Sequence, residues 1–539
     1  MTSFALFQPF VGILPLISGS GKSCLSRAER MFTKHVFNDS DLDDLVPVSL
    51  RGALNPSLRL HRETKTVYTV HPSPNARVAV ISGGGAGHES AHAGYTGNGM
   101  LTASVSGEIF ASPSASQILT AIRLAVHSMK KPMDQSAVLL IVSNYTGDRL
   151  NFGLAAERAR VLGIAVDIVV GAEDVSLLAW SAHPDSTERY EEPRAGPRGL
   201  AVNILVCKIL GAAAANGSTL QELMSLGDAV TASLKSVGVG LAHCHVPRRS
   251  GDRNAGESQD ADKLGKDECE IGMGLNNEPG ARREVIGSAE YLGKRMVKMV
   301  IDALPREISA DERYRDNDSG GIVDHTIRQL ASSRIHPVRV YMAPYMTSLN
   351  MPGFSISLLD LDHIKSQGLP AYADVLNLLD MPTDATVAMK DESGEISAPR
   401  QVGVEPRKVD NAVKEACKSV FEVERDLTHF DTVAGDGDCG ETFAARHSPH
   451  NNDFCIGCSE ALNALRRYTP AEPGDRTIID SLQPFCKLLL DGETGAEKTR
   501  GMKARLGRAS YVREGNIVDV PDPGAWGVAA IVSGLCRGF

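Results

Sequence analysis

The sequence predicts an α/β region in the N-terminal part of the chain, followed by a helical region. Strand-like apolar runs alternate with amphipathic helices over residues 75–175. A second alternation of the same kind runs from about 285 to 365. After Val409, strand-like runs become rare while helical patterns continue. The residues between these regions are rich in charge, glycine and proline, which is typical of a linker.

The individual elements follow from short apolar runs and the residues that end them. Residues 77–81 are predicted to form a strand, and the glycine-rich run 82–89 to form a loop after it. Ser114 is predicted to begin a helix whose apolar face carries Ile118, Leu119, Ile122 and Val126. Further strands are predicted over 137–142, 165–170, 337–341 and 354–359, with a helix reaching Leu162.

Composition narrows the class of protein. The chain has 539 residues and a net charge of −10, which argues against broad binding to nucleic acid. Ten cysteines are too few for a disulfide-stapled secreted scaffold, so we expect a reducing, cytoplasmic environment. The apolar stretch Phe4–Ile17 is interrupted by prolines, is shorter than the roughly 20 residues of a membrane span, and lacks a preceding basic region. No membrane partner is expected.

Two loops of the first region have ligand-binding character. The run Gly83–Glu89 follows a strand, so its amides are able to converge on a ligand oxygen, with His88 as an acid–base group. The next strand ends in a second polar cluster, Asn144–Asp148. The alternative is a tight turn beside a surface histidine. For the glycine-rich segment Gly272–Gly280, a ligand loop and a purely structural loop remain equally open.

The C-terminal region contains a pattern suited to a metal ion. Asp431, Asp436 and Asp438 lie within eight residues, and the last two are separated by Gly437. Such carboxylates suit Mg²⁺, which completes its shell with water and phosphate oxygens. The alternative is a solvated acidic turn. Compact turn sequences follow at 473–477, 507–510 and 521–524, and two of them offer an arginine for phosphate oxygens.

Taken in order, these motifs resemble the dihydroxyacetone kinase family in its single-chain, ATP-dependent form. In the first region the similar stretches are Ile81–Tyr95, Gly99–Ser114, Asn144–Arg160, Val237–Pro247, Ile271–Gly280 and Thr347–Leu359. In the second they are Val433–Gly440, Tyr468–Thr477, Gly507–Val512 and Val520–Ala525.

The resemblance implies an architecture and a set of ligands. Residues 31–385 would form a triose-binding α/β domain of two lobes, 386–407 a linker, and 408–539 an all-helical barrel that binds Mg²⁺ and ATP. Residues 1–30 form an extension of uncertain status. The implied substrate is dihydroxyacetone or glyceraldehyde, and the implied assembly is a homodimer.

The resemblance also implies roles for individual residues. His88 and Asp148 would act as acid–base groups, and the triose would contact Gly85, Ala86, Gly87, His88, Ser143 and Asp148. Asp431, Asp436 and Asp438 would hold magnesium. The nucleotide would lie among Asp436, Gly437, Asp438, Cys439, Thr469, Ile478, Arg508, Asp522, Pro523 and Gly524.

The sequence departs from the family pattern at important positions. Asn276 stands where the family carries a histidine that bonds covalently to the substrate carbonyl, and Ser143 replaces a lysine. The stretch 442–460 is shorter than the family's helical segment and lacks its nucleotide-contacting turn, and 305–320 lacks a family stretch of the Asn-Asn-Leu-Gly-Gly type. Two hypotheses follow. The chain is a dihydroxyacetone kinase, or it is a weakened or inactive member that binds triose or regulates. Cyclisation of flavin nucleotides, known in some members, is not selected by any residue.

Overall fold

The computed structural model describes most of the first 385 residues and scattered parts of the remainder. The described residues are 3–8, 45–132, 135–177, 196–244, 246, 264–304, 321–342, 344–370, 373–385, 418–419, 422–423, 426–427, 467–469, 471–472, 474–475, 477–488, 497–500, 502 and 520–538. The chain divides into two compact units. One contains Met1–Asn144, Asn151–Glu192 and Pro197–Ile396, and the other contains Tyr145–Leu150, Pro193–Gly196 and Ser397–Phe539.

The first unit contains two six-stranded sheets and most of the described helices. The strands are β1 (Ser3–Gln8), β2 (Leu58–His61), β3 (Thr66–Thr69), β4 (Val78–Ala86), β5 (Ala103–Ile109), β6 (Ala137–Ser143), β7 (Ala165–Gly171), β8 (Leu234–Gly240), β9 (Glu268–Ile271), β10 (Arg282–Val285), β11 (His336–Met342) and β12 (Gly353–Asp360). The helices are α1 (Leu45–Arg51), α2 (Ala115–Ser128), α3 (Thr146–Val161), α4 (Asn203–Ala215), α5 (Leu220–Ala232), α6 (Ala289–Asp302), α7 (Gly321–Ser332), α8 (Leu361–Ser366) and α9 (Val375–Asp380), followed by α10 (Ile479–Leu488) and α11 (Pro523–Gly538) in the second unit.

The first sheet has the strand order β2-β3-β5-β4-β6-β7. Strands β5, β4, β6 and β7 run parallel, and β3 and β2 extend the sheet in antiparallel fashion. Alternate residues of β4 point to opposite faces, as strand geometry requires. Ala79 and Ile81 pack on one side with α2 and α3, while Val78 and Val80 pack on the other with α4 and α5. Both faces are therefore buried, which explains the nearly continuous apolar strands.

The second sheet has the order β10-β9-β8-β12-β1-β11. Neighbouring strands are antiparallel except for β1 and β11, which run parallel. Val237, Val239, Ile356 and Leu358 pack with α6 in one core cluster, whereas Leu359 joins the cluster of α4, α5, α8 and α9.

The sequence prediction is confirmed for several elements. The helix after Pro113 begins at its N-cap Ser114, and Ile118, Ile122 and Val126 are buried on its inner face. The predicted strands at 137–142, 165–170, 337–341 and 354–359 are β6, β7, β11 and β12, each within one residue of the expected bounds.

Two features differ from the sequence prediction. Residues Gly83–Ala86, predicted to lie in a loop, belong to β4, because their backbone pairs with β5 from Gly83↔Val105 to Ala86↔Ile109. Ser3–Gln8, in a segment considered only an extension, forms β1 between β11 and β12. The apolar run is short, and the strands with which it pairs lie more than 300 residues away along the chain. Its periodicity alone therefore did not predict a strand.

Candidate active site

The candidate site lies at the carboxyl end of β4, where the strand runs into Gly87 and His88. The glycines before this point are explained by packing. A methyl group on Gly85 would lie 2.9 Å from the backbone of Phe110, and one on Gly83 would lie 2.8 Å from Val105 Cγ1. Gly87 has a φ of +96°, a conformation that favours glycine. The glycine run therefore lets β4 approach its neighbours closely and turns the chain so that His88 faces inward.

His88 is held on three sides. Its Nδ1 lies 2.8 Å from the carbonyl oxygen of Thr347, and its Nε2 lies 3.0 Å from Asn276 Oδ1. Its ring stacks on Phe110, with 5.1 Å between ring centroids. The backbone amide of Leu349 donates to the carbonyl of Gly87 over 2.8 Å, which fixes the histidine loop against the loop between β11 and β12. The alternative of a surface histidine is wrong, because His88 is only 7% exposed.

The proton balance of His88 follows from these contacts. Both ring nitrogens face oxygen acceptors, and a neutral imidazole carries only one N–H. Burial lowers the pKa of His88, while the Thr347 carbonyl and the charges of Glu89 and Glu278 oppose this shift. The neutral ring therefore satisfies one acceptor, and its other nitrogen is able to accept a proton in the site. This is the behaviour required of a general base.

Asn276 is fixed between His88 and Glu278. Its Nδ2 donates to Glu278 Oε1 over 2.7 Å, and its backbone amide donates to Glu278 Oε2 over 2.8 Å. Since the amide nitrogen points to the carboxylate, Oδ1 must point to His88. Both ends of the Asn276 amide are thus engaged. Glu278 was not predicted from the sequence as a site residue, although it stands in the motif Ile271–Gly280.

A buried ion pair between Arg198 and Asp174 contacts the loop that carries Asn276. Arg198 donates to Asp174 Oδ2 over 2.6 and 2.8 Å and also donates to the carbonyl of Gly272. Both side chains are 1% exposed. Removing one partner of such a buried pair costs about 3–5 kcal/mol, because the other charge remains buried. Neither residue was selected from the sequence, since they lie far from the loop along the chain.

Two further predicted triose residues are buried near the carboxyl end of β6. Ser143, the last residue of β6, accepts a hydrogen bond from Asn203 Nδ2 over 3.1 Å. Asp148 is 5% exposed and lies in the first turn of α3. Residues Tyr145–Leu150, which include Asp148, are grouped with the second compact unit.

Part of the predicted nucleotide site lies at the start of α11. Asp522 Oδ1 accepts from the amide of Ala525 over 2.8 Å, so Asp522 caps the helix and Pro523 begins it. A methyl group on Gly524 would lie 2.5 Å from Ile478 Cγ2, which shows that Ile478 packs on this turn. Thr469 is buried, and its Oγ1 accepts from the amide of Ala471 over 3.2 Å.

The remaining predicted nucleotide and metal residues lie outside the described residues. They are Asp431, Asp436, Gly437, Asp438, Cys439 and Arg508. Within the part of the chain that the structure describes, no group of three or more His, Cys, Asp or Glu side chains is placed to hold a metal ion. In that same part, no helix is long and apolar enough to cross a bilayer.

Comparison with known proteins decides the family. The model of the Dak1 domain matches residues 51–387, and that of the DAK2 domain matches 443–537. The dihydroxyacetone kinase of Pichia angusta is 33% identical over 92% of this chain and 97% of its own length. The chain belongs to the dihydroxyacetone kinase family. The dihydroxyacetone kinase of Citrobacter freundii is 32% identical over 85% of this chain, and the human triokinase/FMN cyclase is 29% identical over 90% of it.

Solved structures give related matches. The dihydroxyacetone kinase operon co-activator Dha-DhaQ covers 64% of this chain and 96% of its own length, with 28% identity and a TM-score of 0.50. The C. freundii kinase in complex with AMP-PNP and Mg²⁺ covers 94% of this chain, with 27% identity and a TM-score of 0.48. The part of this chain that the co-activator covers, 64%, is similar in length to the part that the Dak1 model matches, residues 51–387.

Proposed function

We propose that this member of the dihydroxyacetone kinase family phosphorylates dihydroxyacetone, or glyceraldehyde, with ATP. The observation that carries the proposal is the geometry of His88. Its ring is buried at the carboxyl end of a parallel strand and is fixed by Thr347 and by Asn276, the residue at the family's covalent position. Ligands bind at this edge of open α/β sheets. The kinase relatives then indicate phosphoryl transfer as the reaction.

In this proposal His88 takes the proton from the triose hydroxyl. The hydroxyl oxygen attacks the γ-phosphorus, ADP leaves, and the proton passes to the neutral imidazole. The lowered pKa of His88 keeps the ring neutral at the start of the reaction. Asp148 is proposed as the second acid–base group, and Gly85, Ala86, Gly87 and Ser143 as further substrate contacts.

The nucleotide is assigned to the C-terminal region, residues 408–539, as a helical Mg-ATP-binding domain joined by the linker 386–407. Asp431, Asp436 and Asp438 are proposed to hold magnesium, since clustered carboxylates are hard oxygen ligands. The metal supplies charge neutralisation on the phosphates. Gly437, Cys439, Thr469, Ile478, Arg508 and the turn Asp522–Gly524 are proposed to surround the nucleotide. We also propose that the protein is cytoplasmic and forms a homodimer.

Substrate recognition is proposed to be non-covalent. The nitrogen of an amide is delocalised and is a poor nucleophile, and that of Asn276 already donates to Glu278. The triose is then held by hydrogen bonds alone. This predicts weaker binding than a covalent hemiaminal gives, without abolishing phosphoryl transfer.

The proposal is tested by a coupled ATP-consumption assay with dihydroxyacetone and Mg²⁺. The wild-type chain is compared with a double variant, His88→Ala with Asp436→Ala. Turnover that depends on the triose and is lost in the double variant supports the kinase. Wild-type turnover equal to that of the double variant overturns it.

A second function is supported by the contacts that Asn276 makes with His88 and Glu278, and by the likeness of this chain to an operon co-activator. In this alternative the chain binds triose but transfers phosphate weakly or not at all, and acts as a regulatory protein. Calorimetry with dihydroxyacetone and, in a separate titration, with ATP and Mg²⁺ distinguishes the cases when combined with the turnover assay. Triose binding without turnover favours the regulatory protein, and no binding of either ligand rejects both functions.

A further inference from the structure

A cavity lies in the first unit, between α4 and the second sheet. Its volume is about 180 Å³. Ala201 and Leu205 form part of the wall on the α4 side, and Leu379 of α9 closes another side. Ser355 of β12 and Tyr341 of β11 form the wall on the sheet side. None of these residues belongs to the His88 site.

Most of the wall is apolar, but two polar groups mark it. Ser355 is 6% exposed, and among the described residues its Oγ has no hydrogen-bond partner. Lys208 of α4 also lines the cavity, and its Nζ donates to the carbonyl of Met381 over 2.5 Å. An ammonium group has three donors, so two remain after this bond. A buried hydroxyl without a partner is costly unless a ligand or water satisfies it.

Among the described residues that line the cavity, Lys208 is the charged side chain. Burial lowers the pKa of Lys208 and the charge of Asp380 opposes this shift, but Asp380 is itself paired with Arg339 over 2.8 Å. Burial raises the pKa of Tyr345 to about 12, so this phenol in the wall is uncharged at neutral pH. The hydroxyl of Tyr95 donates to the carbonyl of Tyr345 over 2.8 Å, which leaves its oxygen as an acceptor. Lys208 is therefore the charged donor that a ligand in this cavity meets.

We propose that this cavity binds a small apolar monocarboxylic acid, with its carboxylate at Lys208 and Ser355 and its apolar part among Ala201, Leu205 and Leu379. The size fits, because a dry apolar cavity of about 150 Å³ accommodates benzene. An acid of this class has an apolar body, which neither a triose nor a nucleotide phosphate offers to an apolar wall. It would bind without entering either proposed substrate site.

The test uses benzoate as the probe on the full chain, measured by calorimetry and by the shift in melting temperature. Benzoate is expected to bind and to raise Tm, while benzylamine, a cation of the same shape, is not. In Lys208→Met, benzoate affinity is expected to fall at least tenfold while toluene binding persists. The matched control is Lys235→Met, because Lys235 also has a pKa lowered by burial and donates to a carbonyl, that of Ala232, outside the cavity.

A second variant locates the ligand independently. Ala201→Leu fills part of the space and is expected to remove binding of both benzoate and toluene, with cooperative unfolding confirming that the chain is folded. Three outcomes overturn the proposal. They are no benzoate binding to the wild type, equal affinity for benzoate and benzylamine, or benzoate affinity unchanged in Lys208→Met.

Discussion

Asn276 lies in a loop whose backbone path is closely constrained. Its side chain contacts His88 and Glu278, and Arg198 donates to the carbonyl of Gly272 in the same loop. Gly274 is required there, because a methyl group would lie 2.8 Å from Glu278 Cδ and 2.7 Å from an Arg198 nitrogen. Because close packing constrains the backbone of this loop, a different side chain at position 276 is tolerated more readily than a different backbone path.

Placing a histidine at position 276 tests the proposed correspondence with the family's covalent residue. Asn276→His is expected to raise triose affinity, because an imidazole nitrogen is able to add to the substrate carbonyl and an amide is not. Calorimetry measures the affinity, and intact-protein mass spectrometry detects an adduct with the mass of one triose. Asn277→His is the matched control, since Asn277 bonds to the backbone of Cys244 instead. No gain in affinity contradicts the assignment of this loop.

Glu173 is a buried carboxyl whose charge is disfavoured. Its Oε1 accepts from the amide of Leu200 over 2.6 Å, while its Oε2, like Asn203 Oδ1, has no hydrogen-bond partner within the described part of the chain. Burial raises its pKa to about 8. Ser143 bonds to the same Asn203. The charge of Lys235 opposes the shift of the Glu173 pKa but does not cancel the effect of burial.

This shift predicts how stability depends on pH. Between about pH 4.5 and pH 8, folded Glu173 holds a proton that the unfolded chain releases, so the free energy of unfolding falls as pH rises through this window. Glu173→Gln removes this titration. The Tm of Glu173→Gln minus that of the wild type is expected to increase between pH 5 and pH 9. Differential scanning calorimetry measures both values. The exposed Glu290→Gln is the control, and a parallel pH dependence in both variants contradicts the prediction.

At the scale of single elements, helix α5 shows how local sequence specifies structure. Thr219 Oγ1 accepts from the amide of Glu222 over 3.3 Å, and Glu222 Oε2 accepts from the amide of Thr219 over 2.7 Å. This capping box lowers the pKa of Glu222. Helix α2 begins with the same device at Ser114 and Gln117.

Removing the cap of α5 is expected to destabilise the first unit. Thr219→Ala should lower the free energy of unfolding by about 0.5–2 kcal/mol near neutral pH. Because the folded pKa of Glu222 is lowered, the loss should shrink as pH falls through that pKa. Chemical denaturation of Ser225→Ala, on the same helix but away from the cap, gives the reference. Equal effects of the two variants would argue against the capping contribution.

At the scale of the whole first unit, the second sheet depends on a strand from the opposite end of the sequence. Strand β1 lies between β12 and β11, and β11 is the edge strand of the sheet as described. Without it, β11 and one side of β12 would expose unpaired backbone groups, a template for aggregation.

Deletion of residues 2–8 is expected to lower Tm and to promote aggregation, measured by scanning calorimetry and light scattering. Leu6→Pro should act in the same direction, since proline removes a backbone donor from an internal strand. Leu6→Val keeps the donor and strand propensity and is expected to behave like wild type. A deletion variant with unchanged Tm and solubility contradicts the role of β1.

The sequence by itself determined the elements whose signals are local. Helix α2, strands β6, β7, β11 and β12, and the cap at Ser114 follow from apolar periodicity and capping chemistry within a few residues. Motif order also indicated the family, and the Dak1 and DAK2 domain models match the chain in that order.

The tertiary structure alone decided which distant residues meet. It placed the glycines of β4 against β5, paired β1 with β11, set Arg198 and Asp174 against the Asn276 loop, and formed the cavity beside Lys208. These contacts join segments tens to hundreds of residues apart. Their formation depends on chain topology and on the free energy of burial, neither of which leaves a local pattern in the sequence.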